Sequence, residues 1–267
     1  MSGIQDAIRR ENREGRGALI CYLTAGYPDP GSFTEYFQAC VGGGADVIEV
    51  GVPFSDPVAD GPTIQATTLS ALRSGVTPRK VFEMTREAKC AAPVPVVLMG
   101  YYNPIFRIGE ASFARQAAEA GADGLIVADL PYEESEGLRK ACESHSLDLV
   151  QLVAPTTPDG RMRAICSASR GYVYLVGALG TTGSRESLDS DLPQLIGRAK
   201  VACSGKPLAV GFGVSGRQHA EQIVSHGADA VIVGSAISAK ILQGAGPESI
   251  RDFVGDLKAG CGASPPK

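Results

Sequence analysis

The chain has no tryptophan, only 6% aromatic residues and three histidines among its 267 positions. Those histidines (His145, His219 and His226) fall on or beside helix-length stretches, where a lone histidine is a surface or packing residue. No His/carboxylate cluster accompanies them, so no metal centre is expected. The seven cysteines are scattered, odd in number and without a C-x-x-C pair. Neither a disulfide framework nor a zinc site follows, and a reduced, cytoplasm-like compartment is expected. Apolar runs such as Val94–Met99 fall far short of the ~20 residues of a membrane span. The net charge of −4 comes without a block of like charges, which argues against nucleic acid or an anionic membrane as the main partner. Near the N-terminus Ile4, Ala7 and Ile8 share helical spacing and charge follows, with no apolar h-region or cleavage motif. That pattern is a surface helix rather than a signal. No Pro/Ser-rich linker or shift of composition divides the chain, so residues 1–267 are expected to form one domain.

What is present is apolar material (44%) and 33 glycines. Short apolar strands alternate with helix-length stretches throughout. The strand candidates are 17–23, 46–51, 95–99, 124–129, 148–153, 172–176, 207–211 and 230–234. Helix candidates lie near 31–42, 62–73, 79–90, 110–120, 133–144, 158–168, 190–202, 216–226 and 248–258. Eight strand-then-helix units over ~250 residues are the arithmetic of a (β/α)8 barrel, here with an extra N-terminal helix. The runner-up, an open doubly wound sheet, lacks its G-x-G-x-x-G after the first strand. A weak repeat, Gly-Ala-Asp at 44–46, 121–123 and 227–229, joins a helix end to a strand start. These joints belong at the bottom of such a barrel and are read as structural.

Catalysis in this fold sits at the C-terminal ends of the strands. None of the eight lysines lies within a strand or just after one, so a Schiff-base aldolase is not expected. Carboxylates, tyrosines and backbone amides remain. Period-two alternation in Val47-Ile-Glu-Val-Gly51 turns Glu49 into the barrel, with Ile48 and Val50 outward. No strand carries a Lys or Arg to pair with it, so Glu49 must have a raised pKa or be held by hydroxyl donors. Such a pKa suits a general acid near neutrality. In the following loop, Asp60 ahead of Gly-Pro-Thr-Ile looks like a helix N-cap, and Asp56 ahead of Pro57 like a turn former. Two acids beside a buried Glu nevertheless suggest an acid/base pair. Asp129 is read as a turn or cap residue. Of Tyr172 and Tyr174 one is expected to face inward, and Tyr174, nearer the strand end, is preferred for the site. Tyr22 is placed similarly on the first strand. Glycines follow the seventh strand (Gly211-Phe-Gly-Val-Ser215) and the eighth (Gly234-Ser-Ala-Ile237), where this fold usually holds phosphate. The sixth strand leads into a Gly/Thr segment, 177–185, long enough for a lid.

Glu49 followed by Gly51-Val-Pro-Phe-Ser-Asp-Pro-Val-Ala-Asp-Gly-Pro-Thr-Ile-Gln65 resembles the signature of the tryptophan synthase alpha chain family. The resemblance runs from Leu19–Gly26 through Tyr101-Tyr-Asn-Pro104 and Asp129–Glu134 to Gly211–Ser215 and Val233–Ala236. It implies retro-aldol cleavage of indole-3-glycerol phosphate to indole and glyceraldehyde 3-phosphate, without metal or organic cofactor. By the same resemblance, Glu49 protonates the indole C3 carbon and Asp60 stabilises positive charge at the ring nitrogen. Tyr174 supports the glycerol phosphate, while Gly183, Gly213, Gly234 and Ser235 hold its phosphate. Phe212, Ile64 and Tyr22 are apolar neighbours of the substrate, which has no tryptophan to stack on. The family also implies a pyridoxal-phosphate beta chain that receives indole through a tunnel, in an alpha2beta2-type complex. Its contacts would be Pro53–Asp60, Asn103-Pro104 and Pro131. The chain departs from the common bacterial pattern at Thr181, where many members have Val, and lacks an Arg before it. Three alternatives remain open: a stand-alone lyase releasing free indole, another phosphate-binding barrel, and a catalytically silent partner of the beta chain. The expected compartment is the cytoplasm, or the plastid stroma for a plant or algal source.

Overall fold

The computed structural model describes residues 3–177, 191–211 and 213–262. Its strands are β1 (Ala18–Thr24), β2 (Val47–Gly51), β3 (Val96–Gly100), β4 (Gly124–Val127), β5 (Asp148–Val153), β6 (Val173–Val176), β7 (Leu208–Gly211) and β8 (Ala230–Val233). All neighbours pair in parallel, and β8 returns to β1 to close a barrel. Helix α1 (Gly3–Arg13) precedes the barrel. Around it, in chain order, lie α2 (Phe33–Gly42), α3 (Pro62–Arg73), α4 (Pro78–Ala91), α5 (Tyr102–Ile108), α6 (Glu110–Glu119), α7 (Glu136–Ser144), α8 (Asp159–Ala168), α9 (Leu192–Cys203), α10 (Arg217–Ser225), α11 (Ser235–Leu242) and α12 (Pro247–Gly260). This is the (β/α)8 architecture with an N-terminal helix. Helices α5 and α11, absent from the sequence-based assignment, span only 7 and 8 residues, too few for a 3.6-residue period to show. No described helix is long and apolar enough to cross a membrane.

Two apolar cores follow from the strand alternation. Outward residues such as Ile48, Val50, Leu98 and Leu125 pack under the helices. Inward residues, including Ile20, Val47, Val97, Ile126 and Tyr172, fill the barrel. Register sets what meets at its centre: Tyr22 lies opposite Glu49, and Glu49 opposite Val97. A slip of one residue would turn Glu49 into the helix layer. The stripe Ile4, Ala7 and Ile8 on α1 joins the inner core and closes the barrel floor, with Glu11 buried beside it and paired to Arg16 and Lys258.

The Gly-Ala-Asp joints have a common geometry at that end. Each aspartate accepts the backbone N–H of a neighbouring strand and a lysine from an outer helix. Asp46 takes Leu19 N–H at 2.7 Å and Lys258 at 2.5 Å. Asp123 takes Val96 N–H at 2.8 Å and Lys89. Asp229 takes Leu208 N–H at 2.7 Å and both carboxylate oxygens meet Lys200. The carboxylates thus satisfy N–H groups that the parallel ladder leaves over at strand starts. Asp229→Ala is expected to cost about 1–3 kcal/mol, mostly through the stranded Leu208 N–H. Urea unfolding would read this, and an unchanged midpoint would contradict it.

Candidate active site

At the opposite end of the barrel, a cavity of about 600 Å³, counted with its open mouth, is lined by Tyr22, Glu49, Asp60, Ile64, Tyr174, Gly213, Gly234 and Ser235. Met99, Gly211, Val214, Ile232 and Ala236 also line it. Eight of the residues expected from the sequence therefore meet in one space. Gly183 and Phe212 lie outside the described residues. Met99 and Ile232 show no polar signal in the sequence; only strand alternation toward the interior would have pointed to them.

Glu49 is fully buried. Its Oε1 accepts the Tyr172 hydroxyl at 2.5 Å, and its equally buried Oε2 has no partner among the described residues. Burial pushes its pKa up to about 7, against the opposing pull of the Tyr172 bond. The carboxyl is therefore populated in both protonation states at neutral pH, as a proton shuttle requires. The expectation that only one of Tyr172 and Tyr174 faces inward is not met. Residues two apart on a strand share a face, so both point inward, with Tyr172 deeper and Tyr174 at the cavity. Tyr172→Phe is expected to raise the Glu49 pKa further, because the lost donor favoured the carboxylate. The activity limb set by Glu49 would then move to higher pH, and a limb that stayed in place would contradict the pairing.

Asp60 is half-buried, and desolvation raises its pKa while a hydrogen bond from Tyr101 opposes the shift. The same Tyr101 hydroxyl accepts the Ala59 N–H at 3.1 Å. The Phe54 ring leans on the Tyr101 ring at 5.5 Å between centroids. Tyr101 thus holds the loop after β2 at three points, a role the sequence did not signal. The N-cap expectation for Asp60 is not met: Gly61 is the cap of α3, and Pro62 opens the helix. This frees the Asp60 carboxylate to face the cavity. Asp129 does cap, accepting the Tyr102 N–H of α5 at 2.7 Å, while Asp56 is exposed and bonded to the Ser55 hydroxyl at 2.5 Å.

The tyrosines reach the site because glycines make room. A Cβ on Gly51 would stand 2.0 Å from the Tyr22 hydroxyl, and one on Gly211 would stand 2.5 Å from that of Tyr174. Burial and the nearby Glu49 and Asp60 raise the Tyr174 pKa well above its ordinary value, so it stays a neutral hydroxyl. Helix α11 starts at Ser235, directly after β8, and its first N–H groups lie at the cavity rim. Among the described residues no group of His, Cys, Asp and Glu is arranged to hold a metal ion.

A closed parallel barrel whose top gathers a fully buried Glu, a second carboxylate and glycine-lined loops around one cavity has the architecture of a (β/α)8 enzyme. The family model described as Tryptophan synthase alpha chain matches residues 8–259, and the chain belongs to that family. The tryptophan synthase alpha chain of Methanosarcina barkeri is 46% identical over 94% of this chain and 93% of its own. That of Synechococcus sp. is 48% identical over 86% of each. A tryptophan synthase structure from Mycobacterium tuberculosis superposes with a TM-score of 0.91 at 41% identity, over 97% of this chain and 98% of that one. The family reaction is the lyase cleavage of indole-3-glycerol phosphate in tryptophan biosynthesis, and this chain is such a lyase.

Proposed function

We propose that Glu49 carries the proton transfers of this cleavage and that Asp60 stabilises the charge they create. Protonating C3 of the indole leaves positive charge on the ring nitrogen and turns the ring into an electron sink. Loss of the proton from the hydroxyl on the adjoining carbon then forms the aldehyde. The C3–carbon bond breaks, and its electron pair restores the indole. One proton enters at C3 and one leaves the hydroxyl, so a single carboxyl with a pKa of about 7 closes the cycle. The observation that carries the reading is the fully buried Oε2 of Glu49, without a partner among the described residues, in a wall of the cavity. Asp60 supplies the negative charge, and a low-dielectric site makes it count. Gly213, Gly234 and Ser235 are assigned to the phosphate, where the start of α11 offers free N–H groups. Tyr174 supports the glycerol phosphate, and Tyr22 and Ile64 flank the indole.

The partner is a pyridoxal-phosphate beta chain in an alpha2beta2-type complex, docked on residues 53–60, 103–104 and 131. Two large apolar side chains support that face: Val58, in the loop after β2, is 77% exposed, and Phe106, in α5, is 67% exposed. A compartment shared with that partner, the cytoplasm, fits the free thiols of all seven cysteines. The test is indole release from indole-3-glycerol phosphate by the isolated chain, with and without a beta chain. Stimulation by the beta chain supports the complex. A fast rate that a beta chain leaves unchanged supports a stand-alone lyase instead, and no indole in either case refutes the assignment of Glu49 and Asp60.

A further inference from the structure

The described residues 213–216 lie between β7 and α10. Gly213 sits in the left-handed region at φ +64, which favours glycine. Gly216, in an extended conformation at φ −174, is the N-cap of α10. Between them the Val214 side chain is buried in the outer core. Ser215 is tied to the third residue of α10: its backbone N–H lies 3.3 Å from Nδ1 of His219, and its hydroxyl 3.2 Å from the same atom. A backbone N–H can only donate, so Nδ1 holds no proton and the ring proton is on Nε2. The half-buried imidazole therefore reaches back from the first turn as the acidic member of a capping box does. Here it secures not only the helix start but a loop whose Gly213 and Val214 line the cavity.

We propose that His219 is a positioning residue: its unprotonated Nδ1 fixes the Gly213–Ser215 backbone and thereby the phosphate end of the substrate. This rests on the assignment of Gly213 to the phosphate. The acceptor, rather than the ring, is what matters. His219→Asn keeps an acceptor oxygen in the place of Nδ1, whereas His219→Leu puts a methyl group there.

The test is steady-state kinetics of the wild-type chain and both variants, with amide NMR of the wild type. His219→Leu is expected to raise KM for indole-3-glycerol phosphate about five- to tenfold with kcat little changed, the scale of one lost hydrogen bond. His219→Asn is expected to restore KM. Inhibition by indole, which has no phosphate, is expected to be the same in all three. Long-range proton–nitrogen spectra of the wild type are expected to show His219 as the Nε2–H tautomer. An Nδ1–H tautomer overturns the proposal, as does a wild-type KM in His219→Leu, an Asn variant as impaired as the Leu variant, or an equal loss of indole inhibition. Titration with inorganic phosphate separates the two levels. If it leaves the Gly213 and Ser235 amides unmoved, the phosphate assignment itself falls, whereas shifted amides with an indifferent His219→Leu overturn only the role of His219.

Discussion

Replacing Glu49 with Gln is expected to lower kcat for indole formation by about 10²–10⁴-fold, the usual contribution of a positioned acid or base, with KM nearly unchanged. The amide has the same shape, and its carbonyl can still accept the Tyr172 hydroxyl that now holds Oε1 at 2.5 Å. The cavity wall therefore survives and only the transferable proton is lost. The same substitution is expected to stabilise the fold above neutral pH. The folded pKa of about 7 lies above the ordinary 4.5, so the unfolded chain gives up this proton first and ionisation favours unfolding. The penalty starts as pH rises through the ordinary value, grows to the folded value, and levels off at about 3 kcal/mol. Glu49→Gln removes it. Urea melts at pH 5 and pH 8 would show the variant's advantage only at pH 8. Full activity in the variant, or an advantage that was the same at both pH values, would contradict a buried proton-active Glu49.

How much of this site was legible beforehand depended on whether a signal was local. Glu49 stood out because strand alternation and the lack of any strand Lys or Arg are properties of short windows. The glycines after β7 and β8 stood out because this fold holds anions there. The Glu49–Tyr172 bond spans 123 positions, and no local pattern encodes it; only the rule that residues two apart share a face could have placed Tyr172 inside. Tyr101 was visible as a motif residue, but its link to Asp60 and Ala59 exists only once β2 and β3 lie side by side with their loops adjoining. For Asp60, local chemistry misled. The Asp-Gly-Pro sequence reads as a cap, yet Gly61 takes the extended capping position and leaves the carboxylate for the cavity. A polar side chain not used by its own helix is what a binding site draws on.

Asp60→Asn is expected to lower kcat/KM by about 10²-fold, equivalent to about 2.7 kcal/mol of transition-state stabilisation. An asparagine oxygen can still accept hydrogen bonds, from Tyr101 and from a ring N–H, so size and bonding capacity are kept. What is lost is the negative charge facing a ring that becomes positive on protonation at C3. The pH profile separates this electrostatic role from simple contact. Burial raises the Asp60 pKa above the ordinary carboxylate value, and the charge is present only above that raised value. Wild-type activity should thus climb as Asp60 ionises and fall as Glu49 loses its proton near pH 7. In Asp60→Asn the climbing limb should vanish while the falling limb stays where it was, since Glu49 and its Tyr172 donor are untouched. A variant that kept both limbs would assign the acidic one to another group and leave Asp60 a contact residue. A variant that lost both would couple the two carboxylates into one titrating pair.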